Sequence, residues 1–338
     1  MIKNPEKPRA KNAGRAVPLK EIWRITEASS EFYFKRPLKL KTASDGSIFI
    51  ADEYELLKFS PDGKFVANLL KKGEGPGETT QSYVTFALSG HRIYAFSYPD
   101  KIILFDLDGK IIKDSKLQSR NSYGIMGIFG NRVYLCDSKQ PDPKTMIESK
   151  LYDYRNVIIA LDYEEMKETP VKEFPQRFWF GRWGSSSQYY MFWDPFVFAM
   201  DEKTGKLAVS NSCDYIIHLA DLAGGKLYRS FNRKYQKIRV EIKESLKEWR
   251  NKTGAPIKEF SNDVLGVYFH DDLIWAMTST KDDKKGVLFD VFNEKGEYVD
   301  CFYLKFTGQA MNVVDDHLFV QEENADGEIS IAKYLIGK

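Results

Sequence analysis

Cysteine and histidine are scarce in this sequence of 338 residues, which has three and four of them. The cysteines, Cys136, Cys213 and Cys301, lie far apart, and no CxxC pair is present. This spacing argues against a disulfide framework and against the common zinc and redox motifs. We expect three buried single thiols.

Long hydrophobic runs are also missing. The apolar runs, such as residues 195–200, are far shorter than the 18 or more residues that a membrane-spanning helix needs, so a soluble chain is expected. Residues 2–18 lack the apolar stretch of a signal peptide. The sequence is therefore expected to be cytoplasmic, or to have lost its signal. The GxSxG and HExxH motifs of hydrolases are absent as well.

Aromatic residues are plentiful, at 14% of the chain, with 23 Phe, 19 Tyr and 6 Trp. They favour the half-buried surfaces of β-sheets. Hydrophobic residues at 43% and charged residues at 29% are typical of a globular protein and exclude a disordered or collagen-like chain. The length suits two average domains or one large β domain.

The net charge of +2 hides an uneven distribution. Residues 1–20 carry six Lys or Arg and one Glu, and residues 229–258 carry ten and three. The rest of the chain is therefore acidic, at about −10. We predict a basic flexible tail over residues 1–18 and one basic patch on an acidic body.

An internal repeat organises the remainder of the sequence. In its first copy, residues 37–41 form strand A, residues 47–51 follow the Asp45-Gly46 hairpin turn as strand B, and residues 56–59 form strand C. A Pro-Asp-Gly turn at 61–63 then leads into strand D. The turn between strands C and D recurs at residues 105–110, 161–167, 219–226 and 292–297.

Six copies are present, with strand A beginning near residues 37, 84, 124, 196, 264 and 309. Four short strands in about 40 to 50 residues are typical of one blade of a β-propeller. The last copy lacks one strand, and the alternating residues 19–26 can supply it. We therefore predict an all-β fold, a single six-bladed propeller over residues 19–338, closed by an N-terminal strand.

Three segments carry a family resemblance: SDGSIFIAD at 44–52, FSPDGK at 59–64 and GEGPGE at 73–78. They resemble the NHL-repeat-like six-bladed propellers common in Bacteroidetes, within the TolB-like propeller group. The resemblance covers roughly residues 19–338 and is sharpest in the first two blades. It implies a periplasmic or surface-anchored location, because such proteins are mostly exported, and it implies no particular reaction.

The large insertions fall near residues 138–155, 175–195 and 239–262. All of them lie in connections from strand B to C or from strand D to the next blade, so we place them on one face of the propeller. Long insertions of this kind usually bind or cap something. The third insertion predicts a short helix at residues 240–251, with Gly254 past its end.

The second insertion is the most unusual segment in the sequence. Aromatic rings beside guanidinium groups provide stacking surface and directional donors for a protein, peptide or glycan partner. A hydrophobic plug over the channel mouth is the alternative. The predicted ligand-binding residues are Arg177, Trp179, Arg182, Trp183, Tyr189, Tyr190 and Trp193.

Two other features have structural alternatives. Glu241, Glu244 and Glu248 dilute the basic patch, so a nucleic acid partner is not expected. The glycines of GEGPGE at 73–78 permit an anion-binding concavity, or form a purely structural loop.

An enzyme is the second functional hypothesis. The four histidines lie on different blades and are not expected to share one metal ion. Four carboxylates end strand B or start the next loop, and they are candidates for holding a divalent cation such as calcium in a metal-assisted hydrolase or lyase: Asp52, Asp100, Asp137 and Asp214. Asp at such positions more often caps a loop. We therefore predict a non-catalytic binding protein with no cofactor.

Overall fold

The computed structural model of the protein describes residues 1–26, 32–80, 83–118, 122–183, 187–242 and 244–337. Strands are numbered in chain order. The N-terminal segment contains three of them: β1 (Ile2–Asn4), β2 (Arg15–Val17) and β3 (Leu19–Ile25).

The first three blades follow in sequence. Blade 1 contains β4 (Pro37–Thr42), β5 (Ile48–Asp52), β6 (Glu55–Phe59) and β7 (Phe65–Asn68). A small two-stranded ladder joins it to the next blade through β8 (Lys71–Lys72) and β9 (Glu78–Thr79). Blade 2 contains β10 (Val84–Ser89), β11 (Arg92–Ser97), β12 (Lys101–Asp106) and β13 (Ile111–Lys116). Blade 3 has five strands, β14 (Ser122–Phe129), β15 (Arg132–Lys139), β16 (Lys150–Asp162), β17 (Lys167–Trp183) and β18 (Ser187–Phe192), and a 3-10 turn at Pro143–Thr145.

The other three blades complete the ring. Blade 4 contains β19 (Val197–Asp201), β20 (Lys206–Ser210), β21 (Ile217–Asp221) and β22 (Lys226–Arg233), and it is followed by helix α1 (Glu244–Thr253). Blade 5 contains β23 (Val264–His270), β24 (Leu273–Asp282), β25 (Gly286–Asn293) and β26 (Tyr298–Leu304). Blade 6 contains β27 (Gln309–Val314), β28 (His317–Glu323) and β29 (Ile329–Ile336). The six-bladed all-β architecture predicted from the repeat is confirmed.

The last blade is closed by the N-terminal segment, as the sequence predicts. Strand β3 pairs antiparallel with β29, from Ile25 opposite Ile331 to Leu19 opposite Ile336. Ile25 and Ile331 are buried in one apolar cluster with residues of blade 1. The two ends of the chain therefore share one sheet, which joins the last blade to the first.

The first 17 residues differ from the flexible tail that their composition predicts. Strand β1 pairs in parallel with β22 at the outer edge of blade 4, and β2 pairs in parallel with β26 of blade 5. Arg15 also forms an ion pair of 2.9 Å with Asp300. Outer strands of a sheet leave backbone N–H and C=O groups unpaired, and this segment pairs with part of them in two blades.

Recurrent turns explain why Asp and Asn end so many strands. In blade 2 the Asp106 carboxylate accepts hydrogen bonds from the backbone N–H groups of Asp108 and Lys110, at 3.0 and 2.8 Å. In blade 5 the Asn293 side chain binds two backbone N–H groups in the same way. Side chains of this kind stabilise a turn because they replace backbone partners that the turn lacks.

Helix α1 begins a few residues later than the sequence predicts. It ends at Thr253, and Gly254 follows with φ +69° and donates its N–H to the carbonyl of Arg250 at 2.7 Å. A glycine in the left-handed region is a common helix end. The helix lies against β17. Within the described residues, no helix has the length and apolar character needed to cross a bilayer.

Candidate functional site

The second insertion is built from strands, not from a loop. The first residues of β16 pair with the last part of β17, and β18 pairs with residues Phe178 to Trp183 of β17. Blade 3 therefore extends as a three-stranded sheet beyond the neighbouring blades. Alternating aromatic residues favour this outcome because they suit the two faces of a strand.

One side of this extension is a continuous layer of aromatic rings, which we call the aromatic face. Phe180 lies opposite Tyr190, and Phe178 lies opposite Phe192, so these side chains share one side of the sheet. Ring centroids are 5.3 Å apart for Phe180 and Tyr190. The face consists of Tyr152, Tyr154, Phe178, Phe180, Tyr190 and Phe192, with neighbouring ring centroids 5.3 to 6.0 Å apart.

The aromatic face is buried at its centre and open at its outer strand. Phe178 and Phe180 are at most 2% exposed and form a small core with Met146. Tyr190 is 43% exposed and Phe192 is 55% exposed. The exposed rings therefore rest on a rigid apolar base, which reduces the side-chain conformational entropy that is lost when a partner binds.

Trp179 lies on the opposite side of the sheet and is only 3% exposed. Its indole covers Gly181, where an added Cβ would lie 1.8 Å from Cη2 of the ring. The predicted stacking residue Trp179 therefore packs inside the protein, and its ring is not a free surface.

Arg177 is also engaged within the chain. Its Nε and Nη2 donate to the two carboxylate oxygens of Asp194, each at 2.8 Å. The hydrogen bonds to Asp194 raise the pKa of Arg177. Asp194 is 6% exposed, so this bidentate pair fixes the segment that follows β18.

Trp193 is half-buried, and the Lys258 ammonium lies 5.3 Å from the centroid of its ring. Lys258 also donates to Asn262 at 3.1 Å. The predicted side chains of Arg182, Trp183 and Tyr189 lie outside the part of the chain whose side chains the structure describes. Of the predicted set, Arg177, Tyr190 and Trp193 are described residues with accessible surface, and the Arg177 guanidinium is already paired with Asp194.

A central cavity of about 1160 Å³ runs between the blades and is lined by the first strand of each one. Tyr154 and Phe192 line it too, so the aromatic face continues into the cavity mouth. Asp194, Lys258 and Asn262 add charged and polar groups at this mouth. Sequence reasoning missed Tyr152 and Tyr154, because only the pairing of β16 with β17 brings them to the aromatic face.

The four carboxylates predicted for a divalent cation do not meet. Asp52 is fully buried and accepts the backbone N–H groups of Lys35 and Arg36, while Asp137 accepts that of Ser138. Burial raises the pKa of both Asp52 and Asp137. None of the four lines the cavity, and no group of three His, Cys, Asp or Glu side chains that could hold a metal occurs among the described residues.

The GEGPGE segment and the basic patch are both engaged within the chain. The N–H of Gly75 donates to Glu78 at 2.9 Å, and that of Gly77 donates to Asp114 at 3.0 Å. Carboxylates of the protein thus accept from the two backbone N–H groups that an external anion would need as donors. In the basic patch, Arg233 is 9% exposed and pairs with Asp290 inside the protein.

Comparison with known proteins agrees with this architecture. A family model described as DUF5128, 6-bladed beta-propeller, matches residues 26–216, more than half of the chain. The structure of the Bacteroides fragilis protein BF0058 covers 100% of both chains at 12% identity and a TM-score of 0.58. A DUF4221 family member from Bacteroides vulgatus covers 96% of this chain and 99% of its own at 11% identity and a TM-score of 0.53. The search of curated proteins found no match. Similarity at these identities concerns the fold.

Proposed function

The chain belongs to the DUF5128 family of six-bladed β-propellers, and from this premise we propose that it is a non-catalytic binding protein. Its partner is a protein or peptide segment that docks on the aromatic face at the cavity mouth. The NHL-repeat-like, TolB-like subgroup and an extracytoplasmic location stay predictions.

The observation that supports this proposal most directly is the exposure of Tyr190 and Phe192 above buried rings. Large exposed apolar groups that are held rigidly are typical of the anchor positions of protein interfaces. Ile147, which follows Met146 of the small core beneath these rings, is also exposed, at 66%. Together they supply apolar area, which suits the side chains of a peptide.

The charged groups at the cavity mouth indicate the chemistry of the partner. Lys258 donates to Asn262, and Asp194 is occupied by Arg177. Lys258 thus offers an ammonium beside an aromatic anchor, so we expect a partner segment with an acidic residue next to an apolar one. A glycan is the second candidate, since Trp193 with Lys258 and Asn262 combines a ring with polar groups, as sugar sites do.

The proposal is tested by selecting a displayed peptide library and probing a glycan array with the purified protein. Binders are then measured against a Tyr190→Ser, Phe192→Ser double variant, in which both replaced side chains are exposed, so the fold is expected to survive. The matched control is Leu227→Ser, Tyr228→Ser, which changes two exposed apolar side chains on blade 4, 40% and 42% exposed.

We expect peptides to be enriched, and their affinity to fall at least tenfold, about 1.4 kcal/mol, in the first variant only. Equal binding by the wild-type protein and both variants would place the site elsewhere. Enrichment of glycans without peptides would favour the second candidate.

A further inference from the structure

The central cavity contains a lysine whose charge has no acidic partner. Lys39 extends from β4 of blade 1 to blade 3, where its Nζ donates to the carbonyls of Ile125 at 2.6 Å and Met126 at 3.3 Å. Among the described residues no carboxylate lies within ion-pair distance of this ammonium. An ammonium has three donors, and these contacts use two of them.

The neighbouring lysine differs in this respect. Lys41 forms an ion pair with Glu202 of blade 4 at 3.2 Å, and the other oxygen of Glu202 accepts the backbone N–H of Ile128. The carboxylate beside Lys39 is therefore already engaged. Lys39 is half-buried, so an ammonium without a counter-ion at ion-pair distance is costly there, and an anion that enters the cavity relieves that cost.

The chemistry of the cavity wall limits what such an anion can be. Met126, Phe198 and Val267 line the cavity, and its described lining contains no arginine. Among the described residues, the lining also contains six carboxylates and four lysines, so a ligand with one negative charge and an apolar body meets less repulsion there than a phosphate dianion.

We propose that the central cavity binds a small organic carboxylate with an apolar body, and that its carboxylate pairs with the ammonium of Lys39. This proposal does not rest on the docking of a peptide on the aromatic face, although Tyr154 and Phe192 belong both to that face and to the cavity lining.

The protonation of Lys39 makes binding depend on pH. Burial, followed by repulsion from Lys41, lowers the pKa of Lys39 to about 7, and Glu202 offsets part of this effect. Only the ammonium form attracts a carboxylate, so binding strengthens below about pH 7 and weakens above it.

The other strands around the cavity contribute few groups that titrate in this range. Strands β10 and β14 present Thr85 and backbone carbonyls, and β27 presents Asn312. Burial raises the pKa of Cys136 to about 12 and also raises the pKa of Tyr268 well above its usual value. Both groups therefore stay neutral between pH 6 and pH 9. The remaining charged or titratable groups that line the cavity are Lys203, Lys258, Asp194, Asp201, the Asp271-Asp272 pair, Asp315, His270, Tyr83 and Tyr154.

Calorimetric titration with hexanoate and benzoate, and with hexanamide as an uncharged analogue, tests the proposal. We expect one carboxylate per protein, no comparable binding of hexanamide, and a dissociation constant that rises by about a hundredfold from pH 6 to pH 9. His270→Gln is titrated in parallel, and its pH profile is expected to match the wild type. NMR of ¹³C-labelled lysines should show that the pKa of Lys39 rises when hexanoate binds. A purely structural role of Lys39 would not produce this rise.

Lys39→Met removes the charge and keeps the length of the side chain, and the fold is expected to survive because an apolar group replaces an unpaired cation. It should weaken carboxylate binding at least tenfold, whereas Lys39→Arg should retain binding and lose its pH dependence. Lys58→Met is the matched control, because Lys58 also donates to a backbone carbonyl, that of Leu107 at 2.8 Å. Equal affinity for hexanoate and hexanamide, unchanged binding in Lys39→Met, or no binding of either carboxylate would overturn the proposal.

Discussion

Nε of Arg233 donates a hydrogen bond of 2.6 Å to Oδ2 of Asp290, and this contact joins blades 4 and 5 inside the protein. Both side chains are buried, and Asp290 also accepts the hydroxyls of Tyr215 and Tyr298 at 2.7 and 2.5 Å. Tyr235 adds a ring 4.8 Å from the guanidinium. A charged pair held by this many groups is a fixed element of the fold.

Removal of the Asp290 charge should destabilise the protein strongly. Asp290→Asn leaves the guanidinium buried without a counter-ion, so we expect the free energy of unfolding to fall by about 3 to 5 kcal/mol. Urea denaturation measures this. Glu244→Gln breaks the exposed pair between Glu244 and Lys247 and should cost less than about 0.5 kcal/mol. A similar small loss for both variants would show that the buried pair of Arg233 and Asp290 contributes no more to stability than an exposed pair.

The packing of Trp179 over Gly181 predicts a second sensitive position. A Cβ at Gly181 would lie 1.8 Å from the indole, so Gly181→Ala forces the ring or the strand to move. We expect a loss of about 1 to 3 kcal/mol in the free energy of unfolding. The control is Gly224→Ala, where the nearest atom to a Cβ would be 3.5 Å away. If the two variants melt alike, Trp179 is free to move aside.

Closure by the N-terminal segment predicts two different effects of truncation. Deletion of residues 1–17 removes β1 and β2 and exposes the outer edges of blades 4 and 5, so the melting temperature should fall while unfolding stays cooperative. Deletion of residues 1–26 also removes β3 and opens blade 6, so the single transition should be lost. Calorimetry distinguishes them, with a Gly/Ser segment in place of residues 1–17 as the control. An unchanged, cooperative melt after the longer deletion would contradict closure.

The environment of half-buried His218 predicts that the free energy of unfolding decreases in mild acid. Burial, and then the charge of Lys172, lowers the pKa of this imidazole, which also contacts Ser230 at 2.8 Å. As the pH falls through about 6.5, the unfolded chain binds a proton that the folded state disfavours, so the free energy of unfolding decreases. His218→Gln should lose less stability than the wild type between about pH 7.5 and pH 5.5, as measured by urea unfolding. An equal slope of unfolding free energy against pH for the wild type and His218→Gln would refute this assignment.

The sequence was sufficient for the blades because each one is a local repeat. Short polar turns separate the strands of each copy, as Asp45-Gly46 and Pro61-Asp62-Gly63 do in the first one. Strands that are consecutive in sequence therefore become neighbours in space. Residues 19–26 were assigned to blade 6 by counting strands, which needs no long-range information.

The contacts between blades were beyond sequence reasoning. Arg233 belongs to a run of basic residues that gives no sign of its burial, because its partner Asp290 lies 57 positions later in another blade. The short strand β1 has no apolar pattern that would distinguish it from a tail, and it forms because blade 4 offers an open edge.

The sequence identifies the aromatic segment but not the surface that its rings form. The aromatic content of residues 177–193 was visible, whereas the side of the sheet on which each ring lies depends on the register of β17. That register buries Trp179 and leaves Tyr190 and Phe192 exposed.

Hydrogen exchange of the backbone in the presence of the strongest selected peptide tests the central claim, that the aromatic face is the docking surface. We expect slower exchange in the first residues of β16, the last residues of β17 and β18, and no change in the outer strands of blades 1 and 2. Protection confined to other blades, with β18 unaffected, would contradict the account.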